Sequence, residues 1–291
     1  MTRNSSLYRS TEGETVVRTA YERALAKWPV EYKELRVATR WGSTTVYSCG
    51  AGSALPIVLF HGMSVSSPSW YPTVGALAGI RHVYAVDYPG DFGKSDHRTP
   101  PATREEAAEW VFELLDKLGI ETTDMLGKSF GAFLAANAAT RIPDRASRLV
   151  LISPAAVFTR LRTAFYPRAF LASMISTAVT RESFLKWLHA PGNYERDEFT
   201  ELFDAALRFG RPRLRFAPTV LRDSELRRLT MPVLYLAGEH EVIVDPVAST
   251  RRARQLLSDG HVEMIAGAGH GITVEQTRRT NELITRFLNE T

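Results

Sequence analysis

One cysteine, Cys49, is present among the 291 residues, and no run of about 20 apolar residues occurs. A single thiol excludes an intramolecular disulfide and a metal site built from several cysteines, and we expect Cys49 to be a small buried thiol. Without a long apolar run we expect no membrane-spanning helix, and residues 1–6 lead into no apolar segment of a signal peptide. These shortages predict a cytoplasmic protein with no membrane partner.

Charge of one sign is not in large excess either. The 36 Lys and Arg residues and the 32 Asp and Glu residues leave a net charge of +4, and the basic residues are scattered, which disfavours a nucleic-acid partner. A local surplus lies between Phe158 and Arg228, where 13 basic residues stand against 8 acidic ones. It has two interpretations: attraction of an anionic substrate or carrier protein, or a solvated helix face.

Short apolar runs alternate with helical patterns along most of the chain. Such runs are typical of strands buried on both faces, and the alternation predicts a mostly parallel sheet with helices on both faces. Residues 35–40 and 44–49 alternate in polarity and predict an antiparallel hairpin at the sheet edge. The buried runs are residues 57–60, 83–86, 125–126, 149–152, 233–236 and 262–265.

Helical patterns divide the chain into three parts. An N-terminal helix is predicted over about residues 15–28 and another over 105–118, the latter with Thr103 and Glu106 as a capping box. Between residues 157 and 226 aromatic residues recur in helical stretches broken by prolines, with no buried-strand run. We predict a core domain over 1–156 and 227–291, with 157–226 inserted as a helical cap that excludes water from a site.

A G-x-S-x-G motif follows the apolar run at 125–126 and precedes an alanine-rich helical stretch. It reads Gly127-Lys128-Ser129-Phe130-Gly131. At a strand-to-helix turn this motif exposes the serine hydroxyl, and glycines on both sides prevent collisions across the turn. Ser129 is therefore a candidate nucleophile, and we expect the Lys128 side chain to point away from it.

A serine hydroxyl needs a base and an acid that orients the base. His270 follows a strand-like run on the glycine-rich loop 266–271, which makes it the candidate base. Two acids compete for the third role. Asp245 precedes Pro246 and a helical run, so it reads as an N-cap with a structural role. Glu241 has no such role and lies nearer the carboxyl end of its strand, so we favour Glu241 and keep Asp245 as the alternative.

The oxyanion of an acyl-transfer reaction needs preorganised hydrogen-bond donors. The strand-like run 57–60 ends in His61-Gly62-Met63. We expect Gly62 to let the chain turn, so that the Met63 N–H points into the site beside the Phe130 N–H. His61 is better explained as a core-edge histidine bonded to neighbouring backbone than as a base.

With these residues identified, the chain resembles the α/β-hydrolase family from about Tyr32 to Leu288, in the order serine, acid, histidine. Within it the chain is similar to the bacterial carboxylesterase NP (naproxen esterase) group, a resemblance that implies an α/β-hydrolase fold, ester hydrolysis and a glutamate as the triad acid. The loop at 87–95 departs from the family pattern by one residue, and Lys128 is a second departure. The closer likeness is carried by WPV at 28–30, WYP at 70–72, YAVD at 84–87, ISPA at 152–155 and GEHEVIVDP at 238–246.

The sequence thus predicts a serine hydrolase that cleaves a small-molecule carboxylic ester through an acyl-enzyme. A thioesterase, lactonase or cyclase of a biosynthetic pathway is the alternative, because a thioester carbonyl needs the same residues and the cap decides the substrate. Epoxide hydrolases and haloalkane dehalogenases are disfavoured, since those relatives have aspartate at the place of Ser129. A binding protein without activity is disfavoured because no triad member is missing.

No cofactor or metal is expected. Residues 127–129 and 93–95 resemble the end of a phosphate-binding loop, but the required glycine five places earlier is absent from both. The other histidines show no ligand spacing with carboxylates on one helix face. The oligomeric state is not determined by the sequence.

Overall fold

Eight strands form one sheet in the computed structural model, which describes residues 7–52 and 55–290. The order is β1-β2-β4-β3-β5-β6-β7-β8, where β1 and β2 form an antiparallel edge hairpin, β2 pairs antiparallel with β4, and the strands from β4 to β8 pair in parallel. The predicted, mostly parallel sheet is therefore confirmed. The strands are β1 (Tyr32–Thr39), β2 (Gly42–Cys49), β3 (Ile57–Phe60), β4 (Val83–Val86), β5 (Thr123–Lys128), β6 (Ala146–Ile152), β7 (Val233–Gly238) and β8 (Gly260–Ile265).

Helices cover both faces of this sheet, as the alternating pattern predicts. Short 3₁₀ turns cover Ser67–Trp70 and Pro143–Arg145, and a π-helical turn covers Leu171–Ile175. The α-helices of the described residues are α1 (Thr11–Leu25), α2 (Tyr71–Ala78), α3 (Arg104–Lys117), α4 (Phe130–Ala139), α5 (Phe165–Phe170), α6 (Ala178–Leu188), α7 (Glu198–Phe209), α8 (Asp223–Leu226), α9 (Pro246–Leu256), α10 (Ile272–Glu275) and α11 (Thr277–Asn289).

The sheet separates two apolar cores. One core packs the apolar faces of α3, α4 and α9 against the sheet, around Trp110 and Phe133. The other packs α2, α11 and the end of α1 on the opposite face, around Trp70 and Leu283. Because both faces are covered, the central strands β3, β5 and β7 are buried along their whole length. Burial of this apolar surface is the main force that fixes the strand ends where the site lies.

Three local expectations need correction. Strand β8 is not buried on both faces: it is the last strand of the sheet, and Met264 is 38% exposed. Helix α1 begins at Thr11 rather than at 15, because the Ser10 side chain caps it by accepting the Gly13 N–H at 3.0 Å. The capping box of α3 is only half formed. Thr103 accepts the N–H of its partner residue, but the Glu106 carboxylate bonds to the Ala102 N–H instead.

Residues 157–226, all of them described, contain helices α5 to α8 and no strand beyond an isolated bridge between Gly210 and Tyr8. The aromatic rings of this segment pack mostly on one another, with Phe184 beside Phe165 and Phe203. An ion pair links Arg23 of α1 to α7, and a second links α7 to Lys27, just past the end of α1. The division into a core and a cap stays a prediction.

Residues 1–6, where a signal peptide was not expected, lie outside the described residues. Within the part of the chain that the structure describes, every helix is too short or too polar to span a lipid bilayer.

Candidate active site

Ser129 lies at the sharp turn between β5 and α4, at the carboxyl end of a central strand. Its backbone has φ 54° and ψ −114°, a conformation that costs a non-glycine residue on the order of 1–3 kcal/mol. The Ser129 N–H donates to the Ile152 carbonyl of β6 at 2.8 Å. A Cβ at Gly127 would overlap the Gly131 carbonyl, and one at Gly131 would overlap the Phe60 carbonyl. The predicted strand-turn-helix with obligatory flanking glycines is confirmed.

His270 follows β8 on a glycine-rich loop and brings its ring to the serine. Its Nε2 atom lies 3.0 Å from the Ser129 Oγ, and the residue is only 8% exposed. The His270 backbone N–H donates to the carbonyl of Leu188, the last residue of α6, at 2.8 Å. Helix α6 therefore takes part in fixing this histidine, a contact that sequence reasoning missed.

Glu241 lies in the turn after β7 and is buried. Its Oε2 atom is 2.7 Å from the His270 Nδ1, and its Oε1 accepts the Ile243 N–H at 2.7 Å. Burial alone would raise the pKa of Glu241, but His270 and the Ile243 hydrogen bond bring that pKa below its ordinary value. An ionised carboxylate only accepts hydrogen bonds. The proton of a neutral His270 therefore lies on Nδ1, which leaves Nε2 to accept from the serine hydroxyl.

Asp245 lies four residues after Glu241 and has a different role. It is exposed, and its carboxylate accepts the Ala248 N–H at 2.9 Å as the N-cap of α9, with Pro246 at the first helical position. The predicted capping role is confirmed. The His270 Nδ1 is bonded to Glu241, not to Asp245.

His61 directly follows β3 and is bonded to neighbouring backbone, as predicted. Its Nε2 accepts the Tyr88 N–H at 3.0 Å, so the proton lies on Nδ1, which donates to the Gly62 carbonyl at 2.7 Å. The Gly62 carbonyl and the Met63 N–H belong to one planar peptide and point in opposite directions. The hydrogen bond that orients the Gly62 carbonyl therefore also sets the direction of the Met63 N–H.

The expectation that Gly62 makes the turn after β3 is wrong. The left-handed backbone positions are Ser64, with φ 67°, and Ser66, with φ 56°. A Cβ on Gly62 would lie 3.6 Å from the Ser129 Cβ, an ordinary contact. Gly62 thus lies beside the candidate nucleophile, but the turn is made two residues later.

Two buried carboxylates in the 87–95 loop hold that serine-rich turn. Asp91 accepts the Ser64 N–H at 2.8 Å, and burial raises the pKa of Asp91. Asp87 accepts the Ser67 N–H at 2.9 Å and the Tyr21 hydroxyl at 2.8 Å. From the sequence this loop is only a departure from a family pattern. Two aspartates four residues apart after a strand were a further signal, and sequence reasoning missed it.

Glu275 is a further residue that sequence reasoning missed. Its carboxylate accepts the N–H groups of Gly269 and Gly271 at 3.1 Å, on either side of His270. It also accepts the Ala190 N–H at 2.8 Å, just after α6. Glu275 therefore joins the His270 loop to the segment that follows α6. A glutamate inside a short helix carries no local sequence signal for such a role.

Other residues considered for metal or redox chemistry have structural surroundings. Cys49 is buried, as predicted, and burial raises the pKa of its thiol to about 11. His82 bonds to Ser48 at 2.9 Å, and His189 bonds to the Leu185 carbonyl at 2.8 Å. Within residues 7–52 and 55–290, no group of three His, Cys, Asp or Glu side chains is placed to hold a metal ion.

The class of protein is defined by the fold and the site together. The sheet is mostly parallel, a strained serine lies at the end of a central strand, a histidine is bonded to that serine, and a glutamate is bonded to the histidine. A family model described as alpha/beta hydrolase fold matches residues 56–276. The chain belongs to the alpha/beta hydrolase family.

Relatives within the family are carboxylesterases of Bacillus subtilis (strain 168). The uncharacterized carboxylesterase nap is 36% identical over 92% of this chain and 91% of its own length. Carboxylesterase YbfK is 32% identical, with 92% of both chains covered. The crystal structure of naproxen esterase (carboxylesterase NP) from Bacillus subtilis superposes with a TM-score of 0.90 at 33% identity, and covers 97% of this chain and all of that chain. The predicted family, fold and resemblance to carboxylesterase NP are confirmed.

Proposed function

We propose that this chain is a carboxylic-ester hydrolase with Ser129 as nucleophile, His270 as general base and Glu241 as the acid that orients the base. One observation carries the proposal: the unbroken hydrogen-bond series from the Ser129 Oγ through both nitrogens of His270 to Glu241, at 3.0 and 2.7 Å. Each contact is within the range that proton transfer requires. The names of its carboxylesterase relatives support the same reaction class.

The reaction proceeds in two steps. His270 accepts the Ser129 proton as the hydroxyl oxygen attacks the ester carbonyl carbon, and Glu241 stabilises the imidazolium that forms. The imidazolium then protonates the departing alkoxide, which leaves as the alcohol. In the second step His270 takes a proton from water, the hydroxide attacks the acyl-enzyme carbonyl, and the acid is released as Ser129 regains its proton.

The developing oxyanion is held by the N–H groups of Met63 and Phe130. Phe130 is the first residue of α4, so its N–H has no acceptor within the helix and lies at the positive end of the helix dipole. Gly62 lies against Ser129, which brings the neighbouring Met63 peptide to the same place. The bond from His61 to the Gly62 carbonyl supports this orientation before substrate binds.

Replacement of His61 by phenylalanine tests that orientation. The variant removes both imidazole hydrogen bonds but keeps a buried ring, so the Met63 peptide is free to rotate. We expect kcat to fall by about 10²-fold with little change in KM, the size of effect that loss of one oxyanion donor produces. His261→Phe, on the half-exposed edge strand, is the matched control and should retain wild-type kinetics. Unchanged kcat in a folded His61→Phe protein would contradict the role of Met63.

The substrate is tested with a series of p-nitrophenyl esters of increasing acyl length, together with naproxen methyl ester and acyl thioesters. We expect the highest kcat/KM on carboxylic esters, at least about tenfold above the matched thioesters, with a preference for acyl groups that fill an apolar site. A reversed ratio would favour the thioesterase alternative. Binding of these compounds without turnover would contradict the proposed function.

A further inference from the structure

Lys128, the residue immediately before the nucleophile, has its charged end inside the protein. The residue is 4% exposed. Its Nζ atom donates to the Thr273 Oγ1 at 2.8 Å and lies 4.2 Å from the centre of the Phe199 ring. Both contacts are favourable for an ammonium group, since the ring face attracts a cation and the hydroxyl accepts a hydrogen bond. From the sequence Lys128 is an unusual residue of the motif with a side chain expected to point away from Ser129, and neither of these contacts is predicted.

The two contacts belong to different parts of the active site. Thr273 lies in α10, three residues after His270, and Glu275 of the same helix bonds to the N–H groups on either side of that histidine. Phe199 lies in the first turn of α7, among the inserted helices. The lysine itself ends β5 and is covalently joined to the nucleophile. One side chain therefore connects the strand of the nucleophile, the loop of the base and an inserted helix.

The charges around the amine come from three other elements. The negative groups that face Lys128 are Asp197 at the N-terminus of α7, Glu275 of α10 and Glu241 after β7. Asp197 also accepts the Tyr71 hydroxyl of α2 at 2.6 Å. Burial lowers the pKa of Lys128 to about 8, and these carboxylates oppose that shift. The amine is thus mainly protonated at neutral pH and loses its proton in mildly alkaline solution.

We propose that Lys128 is a positioning residue, whose ammonium group holds the His270 loop and the amino-terminal end of α7 against the strand of the nucleophile. The inference rests on the proposed function and adds a residue to it. A buried cation is costly, and an apolar side chain of similar length would fill the same space at lower cost. A purely structural role is therefore poorly served by a lysine here, whereas attraction between Lys128 and carboxylates on two separate elements, Asp197 at the N-terminus of α7 and Glu275 of α10, needs the charge.

The test compares Lys128→Met with the wild-type protein in p-nitrophenyl ester hydrolysis at pH 7. Methionine keeps the length of the side chain but removes the charge and the hydrogen bond to Thr273. We expect kcat/KM to fall by about tenfold or more, because small displacements of a base and of a substrate wall are costly to rate. Lys117→Met, which changes an exposed lysine at the end of α3, is the matched control and should leave kcat/KM unchanged.

The pH profile separates positioning from simple packing. Wild-type kcat/KM should decline as pH rises through about 8, the pKa of Lys128, because the attraction to Asp197 and Glu275 is lost with the proton. The Lys128→Met profile should lack this decline, so that the two profiles converge above about pH 9. Parallel profiles, a constant factor apart, would overturn the inference.

The Lys128→Met substitution should not lower stability, although it lowers activity. The pKa of Lys128 is lower in the folded chain than the ordinary value of 10.5, so the unfolded chain binds more protons between about pH 8 and 10.5 and wild-type stability rises over that interval. Below pH 8 Lys128 is charged in the folded protein, which then carries the full cost of burying that charge. We therefore expect the melting temperature of Lys128→Met at pH 7 to equal the wild-type value or to exceed it by up to about 5 °C.

Thr273→Val provides a second variant that keeps the lysine charge and removes its acceptor. We expect kcat to fall several-fold with KM nearly unchanged, because Thr273 connects Lys128 to the base loop and not to α7. A Lys128→Met protein that melts well below wild type, with activity lost in proportion at every pH, would overturn the inference in favour of packing alone. Absence of ester hydrolysis in the wild-type protein would instead refute the proposed function itself.

Discussion

Replacement of Ser129 by alanine is expected to lower kcat for p-nitrophenyl ester hydrolysis by on the order of 10⁵-fold or more, the range observed when a triad nucleophile is removed. The oxygen that attacks the carbonyl is lost, and the nearby imidazole of His270 has no hydroxyl to deprotonate. Labelling by a fluorophosphonate should disappear for the same reason, since the reagent forms a bond to the nucleophilic oxygen.

The matched control is Ser224→Ala, which changes an exposed serine in α8 and should retain both hydrolysis and labelling. Peptide mapping of the labelled wild-type protein should identify Ser129 as the modified residue. Undiminished labelling of the Ser129→Ala protein would place the nucleophile elsewhere and would end the proposed mechanism.

Replacement of Glu241 by alanine is expected to lower kcat by on the order of 10⁴-fold with a smaller effect on KM. The 2.7 Å bond from Glu241 to the His270 Nδ1 selects the tautomer in which Nε2 accepts the serine proton, and the carboxylate charge stabilises the imidazolium. Without the Glu241 carboxylate, the imidazole ring of His270 is free to adopt the wrong tautomer or to rotate away from Ser129.

Asp245→Ala is the natural partner for this experiment, because the two acids compete in the sequence and lie four residues apart. Asp245 caps α9, so its loss should lower the free energy of unfolding by about 1 kcal/mol and leave kcat near the wild-type value. Urea unfolding and steady-state kinetics on both variants give the comparison. A large loss of turnover in Asp245→Ala, with Glu241→Ala nearly unaffected, would transfer the acid role to Asp245.

Strand positions and the serine turn were predictable from local sequence. Residues 57–60 and 83–86 are short runs of consecutive apolar or aromatic residues, the first preceded by Pro56, and β3 and β4 have those bounds. The need for glycine at Gly127 was also readable, because a Cβ there would overlap the Gly131 carbonyl of the motif itself, whereas a Cβ at Gly131 would overlap the Phe60 carbonyl of β3, which is distant in the chain. Capping by Asp245 followed from the Asp-Pro pair in the same way.

Contacts that depend on distant segments were not predictable. Lys128 reaches Thr273 and Phe199, which lie 145 and 71 positions away in the chain, and neither residue has a local pattern that indicates this contact. The bond from the His270 N–H to the Leu188 carbonyl likewise joins a loop to the end of α6, which is distant in the chain. Exposure of β8 was missed because a hydrophobic run does not reveal whether its strand lies at the edge of a sheet.

The sequence by itself determined the strands, the serine turn between glycines and the choice of Glu241 over Asp245 as candidate acid, because each rests on backbone preferences acting within a few residues. Only the tertiary structure decided which groups surround these residues: Asp91 and Asp87 accept N–H groups of the serine-rich turn after β3, Glu275 accepts the N–H groups on either side of His270, and Lys128 donates to Thr273. The physical reason is burial. Charges enclosed far from water must find partners, and which partners are near is set by how the sheet and helices pack.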